Sequence, residues 1–175
     1  MLGDPTGLTP LYWSHAAPTW NNLFPRATLQ GQVGNPNAFA MGGVSGHAGL
    51  FSTAMDTFRL MRGLMFPKED TKFVNATTFN HFTTIHDPVQ SPRALGWDTN
   101  NYLTRDYAGC GNFSSNTFMH SGYTGTQVCG DKDRHLFAIL LSNSDALPTA
   151  LEAAQKSFSD AVIGAYDSAN AAAEL

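Results

Sequence analysis

The segment His120-Ser121-Gly122-Tyr123-Thr124-Gly125-Thr126 holds the residue types best suited to chemistry in this sequence. It combines an imidazole, a hydroxyl and two glycines at the start of a strand-like run. A strand edge softened by small residues can donate a backbone N–H to a developing oxyanion, and removing one such donor costs about 3 kcal/mol. The alternative is a glycine-containing edge strand without a chemical role. The spacing alone leaves both interpretations open.

A second candidate segment lies upstream, in the glycine-rich run 42–49 that contains Ser45, Gly46 and His47. Four glycines in eight residues predict positive φ angles or close backbone approach just before a helix. A phosphate-binding loop is disfavoured because no lysine follows the glycines. The alternative is a structural turn in which His47 is packed or hydrogen-bonded.

Other catalytic arrangements fit the sequence poorly. The closest approach to a Gly-x-Ser-x-Gly elbow is 43–47, which ends in His47 instead of glycine. His81 and His86 are five residues apart, whereas metal ligands on a helix prefer a spacing of three or four. We therefore expect no metal and no cofactor.

Helices are predicted on either side of these segments. Hydroxyl and acidic residues from Ser52 to Asp56 favour a helix start, and apolar residues at intervals of three to four continue until Pro67. A shorter helix is predicted from Asn75, ending before Pro88. Both helices are expected to face the core.

Strands and a final helix complete the predicted domain. Runs at 118–128 and 135–142, separated by turn-forming residues, predict a β-hairpin whose second strand is apolar on both faces. Pro148 then opens a helix expected to reach about Tyr166. We expect residues 1–40 to be irregular, 1–166 to form one domain, and 167–175 to be a flexible tail.

The composition of the chain argues against two classes of partner, nucleic acids and membranes. The net charge is -4, only 14% of residues are charged, and no basic stripe is present, which argues against nucleic acid. The longest apolar run, 136–141, is much shorter than the roughly 20 residues that span a bilayer, so we expect a soluble chain with no membrane partner.

Cys110 and Cys129 could pair or stay free, and they are too few for a disulfide framework or a thiolate zinc site. Two sequons, at 75–77 and 112–114, would permit glycosylation in a secreted protein, although about one match arises by chance in such a chain. The compartment stays open.

Taken in order, the motifs resemble a known family. The matching segments are Asn37-Ala38, Met41 to Ala54, Ala94-Leu95-Gly96-Trp97-Asp98, His120 to Thr126, Asp131 to Leu141, and Ser142-Asn143. Together they resemble the C-terminal part of the serine β-lactamase-like (penicillin-binding-protein-like) hydrolases, which include class C β-lactamases, D-alanyl-D-alanine peptidases and related esterases. The resemblance runs from about residue 15 to residue 166.

This resemblance implies an α+β fold in which a β-hairpin with flanking helices belongs to an incomplete antiparallel sheet. It also implies acyl transfer through a serine ester. The family's third motif, Lys-Thr-Gly or a His-Ser/Thr-Gly variant, maps onto His120, Ser121 and Gly122. His120 and Ser121 would then contact substrate or the proton network, the backbone N–H of Tyr123 would donate to the oxyanion, and the glycine loop at Ser45, Gly46 and His47 would contact substrate.

The nucleophile of that family is missing here. It is the serine of a Ser-x-x-Lys motif, and no serine in this sequence is followed by lysine three positions later. The second motif, Tyr-x-Asn or Ser-x-Asn, has no suitably placed match. We expect both motifs to lie upstream of the region represented here, so that the chain alone is inactive.

Two function classes follow. The chain is either the C-terminal portion of a serine hydrolase that acts on a small acyl substrate once complete, or a catalytically dead remnant that serves as a binding or interaction module. Expected partners are an N-terminal half, or a second copy bound through an exposed sheet edge. An incomplete gene product without a stable fold is a third possibility, and it would aggregate.

Overall fold

The computed structural model describes residues 14–19, 29–66, 73–100, 109–144 and 148–173. Contacts group the chain into two compact units, residues 1–53 and residues 54–175. The prediction of one domain over 1–166 stays a prediction, because grouping by contacts does not show whether either unit folds alone.

The first unit contains a short helix that periodicity did not predict. Helix α1 spans Pro36–Ala40, with proline in its first turn and Asn35 as its N-cap. The Asn35 side chain accepts a hydrogen bond from the Ala38 N–H at 2.9 Å. Thr19 and Leu29 form an isolated antiparallel bridge in the same unit. Five residues are too few to show a helical period, whereas the Asn-Pro start is a local signal that could have identified α1.

The second unit is built on a four-stranded antiparallel sheet. Its strands are β1 (Asp98–Thr99), β2 (Thr117–Ser121), β3 (Gln127–Asp131) and β4 (Leu136–Leu140). Their spatial order is the same as their order in the sequence. The α+β class is confirmed. The single strand predicted at 118–128 is wrong, because a turn at residues 122–126 divides that run into β2 and β3.

Helices cover both faces of this sheet. On one face, helix α2 (Ala54–Met65) and helix α3 (Ala76–Phe82) pack against Phe118 and its neighbours. On the other face, helix α4 (Pro148–Ala173) packs through Ile163 against Cys129 and Ala138. Side chains alternate across the strands, which divides the core into two clusters. The cluster beside α2 and α3 contains buried Met61, Met65, Phe79 and Phe118, and the cluster beside α4 contains buried Cys110, Phe113, Met119, Cys129, Ala138 and Ile163.

The predicted helix positions are confirmed for α2 and α3, with differences in burial and length elsewhere. Met61 and Met65 are buried as expected. Met55 and Phe58, which the same spacing of three to four puts on the predicted apolar stripe, are 58% and 42% exposed. Helix α4 continues to Ala173. The predicted end near Tyr166 was therefore too early, because the alanine-rich residues that follow have high helix propensity. Of the predicted tail, residues 174–175 lie outside the described residues.

Helix α4 is long enough in residues to cross a bilayer but not apolar enough. None of the helices in the described part of the chain combines the length and hydropathy of a membrane span.

A disulfide joins Cys110 to Cys129, with Cα atoms 6.0 Å apart. It ties the turn around residue 110 to β3, and both half-cystines are buried in the cluster beside α4. The open question about the cysteines is thereby settled in favour of pairing.

Candidate active site

The end of β2 carries the first two predicted site residues. His120 pairs with Val128 and Ser121 pairs with Gln127 across the β2–β3 ladder. Because successive side chains alternate, His120 lies on the face of Phe118 and Ser121 lies on the face of Met119. Both side chains are exposed. The structure therefore brings the two residues to one strand end but directs their side chains to opposite faces of the sheet.

The tautomer of His120 follows from its hydrogen bond. Its Nδ1 lies 2.9 Å from the carbonyl oxygen of Ser121. A carbonyl oxygen only accepts, so Nδ1 carries the proton and donates it. In the neutral ring, Nε2 is then an acceptor. In this tautomer the exposed Nε2 can accept a hydrogen bond from a substrate group.

The outer side of β2 is only partly covered by β1. The register pairs Asp98 with Met119 and Thr99 with Phe118. Within the described residues, β1 thus stops short of His120 and Ser121 on that side of the strand. An extended peptide or acyl chain can add to a strand edge of this kind.

The turn that follows β2 places Gly122 and Tyr123 in a defined conformation. The Gly122 N–H donates to the Thr126 carbonyl at 2.8 Å, and the Gly125 N–H donates to the Gly122 carbonyl at 3.0 Å. Gly125 has a φ of +91°, which L side chains rarely adopt. Tyr123, at the tip, is 83% exposed. The backbone at the predicted oxyanion donor is therefore held by its own turn.

Side chains from elsewhere in the unit fix this turn. Ser142 donates its hydroxyl to the Thr124 carbonyl at 2.8 Å, and the Ser144 N–H reaches the same oxygen at 3.1 Å. Gln155 of α4 donates from Nε2 to the Gly125 carbonyl at 3.1 Å. Periodicity alone did not identify Ser142 or Gln155 as supports, because their role depends on contacts between distant segments.

The glycine-rich segment forms a hydrogen-bonded chain within the first unit. Ser45 Oγ lies 2.5 Å from His47 Nδ1, and His47 Nε2 lies 3.1 Å from Asn35 Oδ1. Asn35 Oδ1 also accepts the Ala38 N–H, which fixes it as an acceptor. His47 Nε2 therefore carries the proton, and Nδ1 accepts from the Ser45 hydroxyl. The interpretation of His47 as a hydrogen-bonded histidine fits this geometry, and the substrate-contact role of Ser45, Gly46 and His47 stays a prediction.

The glycine φ angles in this loop agree with the sequence analysis. Gly42, Gly43 and Gly49 have φ between +90° and +108°. A Cβ on Gly49 would lie 2.7 Å from the Gly43 carbonyl oxygen. These positions require glycine, so the glycine content of the loop is explained by its fold.

Asp131 is a buried carboxylate at the end of the sheet opposite to His120 and Ser121. It is fully buried and accepts hydrogen bonds from the Ser114 N–H and hydroxyl, the Asp133 and Arg134 N–H groups, and Arg134 Nη1, at 2.8–3.1 Å. Burial alone would raise the pKa of Asp131, but the hydrogen bonds from Ser114 and Arg134 outweigh it and hold the pKa below the usual 3.8. The carboxylate thus locks the β3–β4 turn to the segment that enters β2.

This lock also explains a Ser-x-Asn spacing at Ser114 and Asn116. The Ser114 hydroxyl donates to Asp131, and Asn116 donates to Asp133. Both residues precede β2, at the end of the strand away from Ser121. Ser114 and Asn116 therefore hold the entry to β2, at the end of the strand opposite to His120 and Ser121.

Comparison with known proteins agrees with this architecture. A family model described as Beta-lactamase matches residues 4–159. The chain is 38% identical over 127 residues to a "Putative D-alanyl-D-alanine carboxypeptidase" from Escherichia coli (strain K12), covering 71% of this chain and 29% of that protein. It is 34% identical over 126 residues to an N-acetylmuramyl-L-alanine amidase from Bacillus subtilis (strain 168), covering 69% of this chain and 28% of the amidase. The chain therefore spans less than a third of these relatives.

A crystal structure of a beta-lactamase from Mycobacterium bovis shares the fold, with a TM-score of 0.56 at 23% sequence identity. The match covers 68% of this chain and 46% of that structure. The sheet and helices described above thus correspond to part of a beta-lactamase fold. The family model covers far more than half of the residues of this chain, so the chain belongs to the beta-lactamase family.

Proposed function

We propose that this chain is the C-terminal portion of a serine hydrolase and that it supplies one wall of an acyl-transfer site. The observation that carries the proposal is the end of β2, where exposed His120 and Ser121 precede a turn fixed by its own hydrogen bonds. The nucleophilic serine and its lysine would come from a segment outside this sequence, since no Ser-x-x-Lys occurs within it.

In the proposed reaction, the acyl chain of the substrate lies along the outer edge of β2. The serine Oγ of the other segment attacks the substrate carbonyl carbon and transfers its proton to a base. The carbonyl electron pair moves to the oxygen, which accepts a hydrogen bond from the Tyr123 backbone N–H. The leaving group departs with the bonding pair and takes up the proton. Water then attacks the ester and releases the acid, which regenerates the serine.

Within this scheme, the side chains of β2 have separate tasks. The unprotonated Nε2 of His120 can accept a proton or orient a substrate donor. Ser121 lies on the other sheet face, so it would contact a different part of the substrate. The turn held by Ser142 and Gln155 keeps the oxyanion donor in place before substrate arrives, which is the condition for electrostatic catalysis.

A β-lactam, peptide or small ester carbonyl would suit this site. The names of the two relatives favour an amide next to alanine, since one is called a "Putative D-alanyl-D-alanine carboxypeptidase" and the other an "N-acetylmuramyl-L-alanine amidase".

The apolar surface beside β4 supports the need for a complementing segment. No described strand pairs with the outer edge of β4. A groove of about 460 Å³ lies between β4 and the start of α2, lined by Ala54, Phe58, His135, Leu136, Phe137 and Ile139. An apolar strand edge left without a partner favours pairing with another chain. The partner expected from this edge is the N-terminal half, with a second copy of the chain as the competing occupant.

The test is a chimera in which this chain replaces the matched segment of the Escherichia coli carboxypeptidase relative. The isolated chain should neither hydrolyse a chromogenic cephalosporin or a p-nitrophenyl ester nor react with a fluorophosphonate probe. The chimera should do both. His120→Ala in the chimera should lower kcat about 100-fold if the imidazole transfers protons.

Val89→Ala is the control, because Val89 is 94% exposed in the turn that follows α3 and is not one of the proposed site residues. It should leave kcat unchanged. A folded chimera without activity would contradict the proposal. Covalent labelling of one serine in the isolated chain would show that the nucleophile lies within it.

The second candidate function is a binding module, favoured by the same exposed groove and β4 edge. A remnant of this kind would bind substrate or partner without turnover. It predicts that the folded chain captures a β-lactam reversibly and that the chimera stays inactive, which separates it from the first proposal.

A further inference from the structure

Two asparagines in Asn-x-Ser/Thr sequons lie on the surface of the second unit. Asn75 precedes Ala76 and Thr77, and Asn112 precedes Phe113 and Ser114. Both asparagines are exposed. Neither intervening residue is proline, which would block glycosylation. About one such match is expected by chance in a sequence of this length, so the sequons alone do not identify glycosylation sites.

The disulfide supplies an independent observation about the compartment. Cys110 and Cys129 are 0% and 1% exposed and form part of the core beside α4. Structural disulfides form and persist in oxidising compartments and are rare in the cytosol, where thiols are kept reduced. The Cys110–Cys129 bond therefore favours folding in an oxidising compartment, and the secretory pathway, where N-glycosylation takes place, is a compartment of that kind.

Asn75 is suited to carry a glycan in the folded protein. Its Oδ1 accepts the Thr78 N–H at 2.8 Å and caps α3. A glycan attaches to Nδ2, so the capping oxygen would keep its hydrogen bond. Thr77, the third residue of the sequon, is exposed. The sequon thus remains accessible after α3 has formed.

Asn112 differs, because Phe113 is buried and the partly buried Ser114 is hydrogen-bonded in the folded protein. Phe113 is 1% exposed, and the Ser114 hydroxyl donates to buried Asp131 at 2.8 Å. The Asn112 N–H itself donates to Asp160 of α4 at 2.7 Å. A transferase reads the hydroxyl of the third residue, and in this state that hydroxyl of Ser114 is already held by Asp131. Modification at Asn112 must therefore precede closure of the Cys110–Cys129 bond.

We propose that Asn75 and Asn112 are N-glycosylation sites and that the disulfide limits the time in which Asn112 can be modified. Each transfer forms a bond between Asn Nδ2 and C1 of the sugar. A lipid-linked oligosaccharide is the donor, its diphosphate leaves with the bonding pair, and one amide proton passes to a base. Disulfide closure removes two protons and two electrons from the cysteines, which a thiol–disulfide oxidant accepts.

The experiment is secretory expression of the 175-residue chain in eukaryotic cells, followed by glycosidase digestion and site mapping by mass spectrometry. The wild type should carry a full-occupancy glycan at Asn75 and partial occupancy at Asn112. Asn75→Gln and Asn112→Gln should each remove one glycan. Ser114→Thr keeps the sequon and the hydroxyl, and it is the matched control that should retain modification at Asn112.

Cys129→Ser tests the order of events, and occupancy can be read from cell lysate whether or not the variant folds. Occupancy at Asn112 should rise to the level of Asn75, while Asn75 is unchanged. Absence of any glycosidase-sensitive shift would overturn the proposal. Equal occupancy at Asn112 with and without the disulfide would overturn the proposed order. Free thiols at Cys110 and Cys129 in the secreted protein would overturn the argument for the compartment.

Discussion

Replacing Asp131 with asparagine, whose side chain has nearly the same size, should destabilise the second unit. The carboxylate of Asp131 accepts five hydrogen bonds in a fully buried position, from the turn that follows β3 and from Ser114. Asparagine has nearly the same shape but only one acceptor oxygen. Asp131→Asn therefore tests the hydrogen bonding and the charge while leaving the packing in place.

The expected cost follows from which donors lose their acceptor. With its oxygen at the Oδ1 position, asparagine keeps the bonds from the Ser114 hydroxyl and from the Asp133 and Arg134 N–H groups. Its NH₂ group then faces the Ser114 N–H and Arg134 Nη1, both of which donate to Oδ2 in the wild type. A hydrogen bond to a charged group contributes about 1.5–3 kcal/mol. Arg134 is partly exposed and can turn to water, so we expect a net loss of about 3 kcal/mol.

The direction in which stability changes with pH follows from the shifted pKa of Asp131. The pKa of Asp131 is lower in the folded state than the usual 3.8. A carboxyl of this kind stabilises the fold above its unfolded pKa, and this contribution is lost as the pH falls through the folded pKa. The wild type should therefore lose more stability between about pH 5 and pH 2 than Asp131→Asn does.

Urea unfolding followed by circular dichroism at pH 7 and at several acidic pH values measures both effects. Asp133→Asn is the control, because Asp133 is exposed and its side chain accepts from Asn116 at the surface. It should change the free energy of unfolding by less than about 0.5 kcal/mol. A free energy of unfolding for Asp131→Asn within that same range of wild type would refute the role assigned to this carboxylate.

Two further substitutions test other supports. Gly125→Ala should lower the free energy of unfolding in urea by about 2 kcal/mol, because the φ of Gly125 is +91° and the new Cβ would lie 2.7 Å from Ser142 Oγ. Gly164→Ala is the control in helix α4, where the added Cβ meets open space and should stabilise the protein by up to about 1 kcal/mol. Equal effects of the two substitutions would show that the turn tolerates a side chain. Replacing both Cys110 and Cys129 with alanine should cost about 3 kcal/mol, since the bond closes a loop with a sequence separation of 19. An unchanged melting temperature for that double variant would contradict a stabilising disulfide.

The parts of the fold that could be predicted are those with a local signal. Asp56 and the apolar spacing to Met65 located α2, and Pro148 located the start of α4. The β2–β3 turn was missed because Gly122 and Gly125 lie in a run whose other residues favour strands. The reversal is shown by the antiparallel pairing of β2 with β3 and by the hydrogen bonds that Ser142 and Gln155 donate to the turn.

The sequence places the candidate residues His120 and Ser121 at the start of a strand-like run but does not give the directions of their side chains. The order of the motifs led to His120 and Ser121, whose side chains the strand alternation then places on opposite faces. The exposure of Met55 and Phe58 could not be read from periodicity, because a helical stripe shows which residues face one way and not whether anything covers them. Cysteine pairing likewise depends on the distance between β3 and a distant turn, which spacing does not give.

The strand order of the sheet, identical to its order along the sequence, bears on how the protein assembles. Each strand pairs with its neighbour in the chain, and the two hairpins β2–β3 and β3–β4 close short loops. A topology of this kind has low contact order, and such topologies fold quickly. During synthesis the meander can therefore form within its own stretch of polypeptide, before more distant segments of the chain are needed.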